Sequence, residues 1–145
     1  MKKLLVIHGP NLHMLGKREP GIYGAETLND IDVKITKKAK DSGLDIEIQQ
    51  YNSEGDIVER ITRSDFDYLI INPAAYTHTS VAVRDALLSA PKRVIEVHLS
   101  NIYKREDFRK KSLVSDIVEG VISGFGAMGY IIAVDVIAQW AGNDS

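Results

Sequence analysis

Short apolar runs alternate along this chain with longer amphipathic stretches, and that alternation restricts the fold more than any other feature. Leu4-Leu5-Val6-Ile7 and Tyr68-Leu69-Ile70-Ile71 are unbroken apolar blocks, the pattern of strands buried on both faces. Arg93 to Val97 reads as a further strand and Val118 to Ile122 as the last one. Asp45-Ile46-Glu47-Ile48-Gln49 alternates polar with apolar residues, so it is expected at an edge or half-buried. Helical patterns fill the gaps. Thr27 to Ser42 opens with Thr27 as N-cap and Asp30 three residues on, a capping-box arrangement, and Gly43 ends it. Ser53 caps a second helix through about Arg63. Thr79 or Ser80 caps a third, which ends near Ser89-Ala90-Pro91. A short basic turn is expected around Lys104 to Arg109, and Gly126 to Ala141 forms a last helix, apolar over much of its length.

Strands alternating with helices build parallel βαβ units. Five strands in 145 residues predict one α/β domain over residues 1–145, a flavodoxin-like three-layer sandwich with a five-stranded parallel sheet in the order 2-1-3-4-5. The right-handed crossover rule permits that order. Ligands of such sheets bind beyond the carboxyl ends of the strands, at the switch point between strands 1 and 3. Gly9-Pro10-Asn11 follows strand 1, Asn72 to His78 follows strand 3, and His98-Leu99-Ser100-Asn101 follows strand 4. Turn formation accounts for Gly9 and Pro10; it does not account for His78 and His98 at the same end of the sheet.

Glu96 and His98 are two residues apart on the fourth strand, so they share a face. A carboxylate on an apolar strand is costly unless paired, and an adjacent imidazole gains a fixed orientation and a stabilised cationic form. The pair is either a satisfied core contact or a proton-transfer site. The loop from Gly9 to Glu26 lacks regular pattern and far exceeds the usual ~2–6 residues of a βα connection. It carries Arg18 and Tyr23 among glycines that permit hinge motion, and a lid is expected at about 17–25. A cation beside a phenol stabilises phenolate, which would suit a tyrosine base.

Composition excludes several chemistries. The chain has no cysteine, hence no disulfide, thiolate metal site or cysteine nucleophile, which fits a reducing cytoplasm. A formal net charge of −2 gives no electrostatic case for nucleic acid or an anionic membrane. No apolar run reaches transmembrane length, and the N-terminal one is too short for a signal peptide. The four histidines lack metal-ligand spacing, so no metal is expected. No G-x-S-x-G elbow occurs. Gly124-Phe125-Gly126-Ala127-Met128-Gly129 spells GxGxxG between a strand and a helix. A dinucleotide site also needs a later strand with an acidic residue, and here the sequence ends first. These glycines are read as allowing a tight turn and close helix–sheet packing. The segment from Lys104 to Lys111 is locally basic; it is either a solvated face or a source of Arg105 or Arg109 for an anionic ligand. A phosphoacceptor receiver would need acidic residues after strand 1 and an Asp ending strand 3, where Gly-Pro-Asn and Asn72 stand.

Five motifs occur in order: Val6-Ile7-His8-Gly9-Pro10-Asn11-Leu12, Arg18-Glu19-Pro20-Gly21-Ile22-Tyr23-Gly24, Tyr51-Asn52-Ser53-Glu54-Gly55, Ile71-Asn72-Pro73-Ala74-Ala75-Tyr76-Thr77-His78-Thr79-Ser80, and Glu96-Val97-His98-Leu99-Ser100-Asn101. With these motifs the chain closely resembles the type II 3-dehydroquinate dehydratases, from first strand to last helix. The resemblance implies anti elimination of water from 3-dehydroquinate through an enol or enolate, without metal or organic cofactor. Tyr23 would be the base, with its pKa lowered by Arg18. Asn11 would help hold a water on the enolate oxygen. His98 would be the general acid, oriented by Glu96. Leu99 and Ser100 would bind the substrate carboxylate, and Asn72, His78 and Arg109 the ring hydroxyls. Asp85 would act across a subunit boundary, in a dodecamer of trimers. The departures are small: Ala74 and Ala75 stand where the family often has a glycine, and Tyr76 where Phe or Leu is frequent. His8 stands where Asn is also common, and it is given no catalytic role.

Overall fold

The computed structural model describes residues 1–17 and 25–144. Five parallel strands form one sheet in the order β2-β1-β3-β4-β5, as the alternating pattern predicts. They are β1 (Lys3–His8), β2 (Asp45–Gln50), β3 (Tyr68–Asn72), β4 (Arg93–His98) and β5 (Gly120–Ser123). The helices are α1 (Leu28–Asp41), α2 (Glu54–Thr62), α3 (Val81–Ser89) and α4 (Met128–Asp144). Alternate side chains of β1 enter opposite cores. Leu4 and Val6 join Tyr68, Ile70, Ile95 and Val97 beneath α1 and α4. Leu5 and Ile7 join Leu69, Ile71 and Val94 beneath α2 and α3. This double burial is why β1 and β3 are apolar without interruption. The edge strand β2 is only partly covered, which accounts for its alternation.

Side-chain caps fix where the helices begin. Thr27 and Asp30 form a reciprocal capping box on α1. Ser53 accepts from Asp56 N–H at α2. At α3 the cap is Ser80, not Thr79, through a 2.9 Å bond from Val83 N–H.

The last helix runs on to Asp144 and not only to Ala141, and three further differences from the sequence expectation each have a local reason. The first loop is not wholly irregular: a 3₁₀ turn at Leu12–Met14 buries Leu12 and Leu15 in the α1 side of the core. β5 starts at Gly120 because Glu119 occupies the preceding position with both its groups. Its backbone N–H donates to Val94 carbonyl, and its carboxylate accepts from Val94 N–H, each at 2.9 Å. α4 starts at Met128 because Gly124 and Gly126 hold φ values of +100° and +59°, incompatible with a right-handed helix. The third glycine of that GxGxxG run, Gly129, lies where a Cβ would stand 3.3 Å from both Ile122 and Val97. The run is therefore a turn and a close helix–sheet contact, as expected. The basic segment forms two 3₁₀ turns, Ile102–Lys104 and Asp107–Arg109. Most of the expected lid, with Arg18 and Tyr23, lies outside the described residues.

Two neighbouring backbone positions set the spacing of the β1 and β3 ends. Gly9 N–H donates to Asn72 carbonyl at 2.8 Å. A Cβ on Gly9 would meet Pro73 backbone atoms at 2.6 Å, so only glycine permits this approach. Ala74 stands at φ +52°, a left-handed conformation that costs an L residue ~1–2 kcal/mol. We therefore expect Gly9→Ala to destabilise by about 1–3 kcal/mol through overpacking. Ala74→Gly should stabilise by about 0.5–1 kcal/mol, since relief of strain exceeds the entropy gained by the unfolded chain. Urea unfolding midpoints of the two variants should move in opposite directions; midpoints moving the same way would contradict this reading.

Candidate active site

The carboxyl ends of β1, β3 and β4 border a cleft of about 180 Å³. Asn11 enters from β1, Asn72 and His78 from β3 and its following turn, and His98, Leu99 and Ser100 from β4. Arg105 and Arg109 close one side from the basic turns. Seven residues chosen from the sequence thus meet at one place: Asn11, Asn72, His78, His98, Leu99, Ser100 and Arg109. Asp85 does not; it is exposed on α3. Among the described residues, those lining the cleft include no lysine, and no group of three His, Cys, Asp or Glu is placed to hold a metal.

Glu96 and His98 emerge on the α2–α3 side of β4. Glu96 is fully buried and His98 nearly so, and His98 Nε2 is hydrogen-bonded to the Glu96 carboxylate. The carboxylate can only accept, so Nε2 carries a proton, and Nδ1 is the ring nitrogen left for a ligand in the cleft. Glu96 has two further donors. Ser115 hydroxyl donates at 2.6 Å and Ser112 hydroxyl at 3.2 Å. The three donors take the place of the hydration that burial removes from this carboxylate. The carboxylate also holds the imidazole in one orientation, which a proton-transfer group requires.

The opposite side of the sheet supplies a second polar network. Asn72 is buried, its Oδ1 accepts from Ala74 N–H at 3.0 Å, and its Nδ2 donates to Tyr130 hydroxyl at 3.3 Å. Tyr130 reaches across from α4 to within 3.0 Å of His8 Nδ1, and His8 Nε2 lies 2.8 Å from Asp32 of α1. Burial pushes the Tyr130 phenol well above its usual range, so it stays a hydroxyl.

The remaining cleft side chains are held individually. His78 Nδ1 donates to Lys111 carbonyl at 2.7 Å. Arg109 Nε donates to Glu106 at 2.6 Å and its guanidinium lies over Phe108. Asn11, at φ +69°, donates its backbone N–H to the Asn52 side-chain oxygen at 3.0 Å, which ties the start of the long loop to the end of β2.

A family model described as Dehydroquinase class II matches residues 2–138. The chain belongs to the class II dehydroquinase family. It is 55% identical over 131 residues to a 3-dehydroquinate dehydratase of Francisella philomiragia, covering 90% of each chain. It is 48% identical over 143 residues to one of Thermotoga neapolitana, covering 99% of each. Its backbone superposes with a TM-score of 0.92 on the crystal structure of the type II dehydroquinase of Propionibacterium acnes, at 42% identity, with 96% of this chain and 97% of that one covered.

For a class II dehydroquinase, two groups of site residues escape motif reading. Ser112 and Ser115 reach Glu96 from the β4–β5 connection, 16 and 19 residues downstream. Their only sequence signal is a pair of serines three apart after a basic run. Tyr130 and Asp32 lie on α4 and α1, away from the strand residues they serve, and nothing local marks them. The Ser115 hydroxyl donates to a buried charge, a contact typically worth ~1.5–3 kcal/mol. Ser115→Ala should lower unfolding free energy by about that amount in chemical denaturation. An unchanged value would mean that Glu96 is stabilised by other groups.

Proposed function

We propose that this chain is a 3-dehydroquinate dehydratase, a hydro-lyase converting 3-dehydroquinate to 3-dehydroshikimate and water. The observation that carries the reading is the Glu96–His98 pair at the cleft of a chain belonging to the class II dehydroquinase family. In this reading Tyr23 removes the proton from C2, and the electron pair of that C–H bond forms an enolate with the adjacent ketone. Arg18 beside Tyr23 favours the phenolate that does this. Charge on the enolate oxygen is met by a water held by Asn11, since a donor placed where charge develops lowers the barrier most. Collapse of the enolate forms the C1–C2 double bond and breaks C1–O. His98 gives its proton to the departing hydroxyl, which leaves as water, and Glu96 balances the imidazolium charge until then. A positioned general acid contributes ~10²–10⁴-fold. Tyr23 then holds the C2 proton and His98 lacks the one it gave; exchange with solvent returns both to their starting states, and no metal or organic cofactor is called for.

Leu99 and Ser100 bind the substrate carboxylate, largely through backbone N–H groups, and Asn72, His78 and Arg109 take the ring hydroxyls. The segment at about 17–25 acts as a lid that assembles the base over bound substrate. Asp85 reaches a neighbour's site in a dodecamer of trimers. Support for an interface there comes from α3, where exposed Val81 and Leu88 flank Asp85 on one stripe at i, i+4 and i+7. The absence of cysteine in the chain agrees with a cytoplasmic location. A Schiff-base route is disfavoured because, among the described residues, those lining the cleft include no lysine.

The test is a direct assay of purified protein with 3-dehydroquinate, following the conjugated enone by ultraviolet absorbance. Wild-type protein should turn over, while Tyr23→Phe and His98→Ala should each lose about 10²–10⁴-fold in kcat. Arg18→Gln should slow the reaction and move the basic limb of the pH profile. Activity surviving either of the first two substitutions would remove that residue from its role. Inactivation by borohydride only in the presence of substrate would overturn the tyrosine-base mechanism.

A further inference from the structure

Apart from the Glu96–His98 pair, a chain of hydrogen bonds among the described residues runs Ala74–Asn72–Tyr130–His8–Asp32. With the His8 ring neutral, the polarity of these bonds runs in one direction from end to end. A backbone N–H can only donate, so the Asn72 atom 3.0 Å from Ala74 N is the oxygen. The Asn72 nitrogen therefore points to Tyr130, whose oxygen accepts at 3.3 Å. The Tyr130 hydroxyl hydrogen is then directed to His8 Nδ1 at 3.0 Å. His8 consequently carries its proton on Nε2 and donates it to the Asp32 carboxylate at 2.8 Å. His8 and Tyr130 are fully buried, while Asp32 reaches the surface. The two rings meet edge to face, 5.2 Å between centroids. β1 and β3 pair in register with His8 opposite Asn72, so both side chains leave the sheet on the same side.

We infer that His8 and Asp32 are positioning residues for Asn72, acting through Tyr130 to lock its side-chain amide so that it offers a ligand an N–H donor and not a carbonyl acceptor. Each end of the amide is committed: the oxygen to Ala74, one of the two N–H groups to Tyr130. The second N–H is what Asn72, lining the cleft, presents. It selects an oxygen acceptor, such as a hydroxyl lone pair. Without Tyr130 as acceptor and His8 to hold the Tyr130 hydrogen away from Asn72, the amide would lose the partner that restrains its nitrogen. A buried hydrogen-bond network of this kind specifies orientation only when every member is satisfied. The inference rests on the reading of Asn72 as a ring-hydroxyl contact.

Steady-state kinetics with 3-dehydroquinate on Asn72→Ala, Tyr130→Phe, His8→Leu, His8→Asn and the Asn72→Ala/Tyr130→Phe double variant provides the test, with thermal unfolding to confirm that each is folded. Tyr130→Phe and His8→Leu should raise KM about 3- to 10-fold with little change in kcat, the signature of a lost contact shared by ground and transition states. His8→Asn should restore KM to within about twofold of wild type, because its amide oxygen takes the place of Nδ1 as acceptor for Tyr130. The double variant should be no worse than Asn72→Ala alone, since the two act through one contact. The inference is overturned if Asn72→Ala raises KM while folded Tyr130→Phe leaves it at the wild-type value, or if the two effects add. An unaltered KM in Asn72→Ala would instead overturn the reading of Asn72 itself. Should His8→Leu fail to fold, Tyr130→Phe and Asp32→Ala make the same comparison.

Discussion

Glu96 is a carboxylate buried inside the sheet, and the functional end of the molecule is arranged around satisfying it. An isolated buried carboxylate would neutralise or pull the strand apart. Its three donors come from two segments: His98 from its own strand, Ser112 and Ser115 from the connection to β5. Satisfying Glu96 therefore pins that connection over the end of β4. Val114, between the two serines, is fully buried in the α2–α3 core. The His98 ring is fixed as a consequence, with one nitrogen committed inward and one left for the cleft. A residue that costs stability if alone becomes the reason the site has a single geometry.

The cleft joins two networks that lie on opposite faces of one sheet. Side chains alternate along a parallel strand, so Glu96 and His98 project toward α2 and α3, while His8 and Asn72 project toward α1 and α4. The two sets can meet only past the strand ends, where the polypeptide leaves the sheet. That is why the site lies at the β1–β3 switch point, and why Gly9 matters. Its lack of a side chain lets the two strand ends approach closely enough for Asn11 and Asn72 to border the same cavity. Ala74 tolerates a left-handed backbone one residue past Pro73, and its N–H anchors Asn72. Local strain and site geometry are here the same feature.

Much of this was legible in the sequence because it depends on local pattern. The apolar runs predict the strands, whose observed order is one that the crossover rule permits, the capping residues predict the helix starts, and the two-residue spacing of Glu96 and His98 predicts a shared face. The position of the cleft follows from sheet topology. What sequence reading missed is tertiary. Ser115 and Tyr130 meet Glu96 and His8 across 19 and 122 residues, and no periodicity encodes such contacts. His8 stands where the family also has Asn, so the motif marks no catalytic role for it; its contacts come from partners on two different helices. β5 starts later than apolar patterning predicts because Glu119 uses its side chain to take a ladder position that the patterning assigns to the strand.

The central claim is that buried Glu96 holds His98 with Nε2 protonated and inward, so that the imidazolium form carries the transferable proton on Nδ1, toward the cleft. Long-range ¹H–¹⁵N correlation spectra of the ¹⁵N-histidine-labelled protein at alkaline pH measure this directly, with His98 assigned by its loss in His98→Gln. The account predicts the neutral Nε2–H tautomer for His98 and its loss of preference in Glu96→Gln. A neutral ring protonated on Nδ1, or a tautomer indifferent to Glu96, would contradict it.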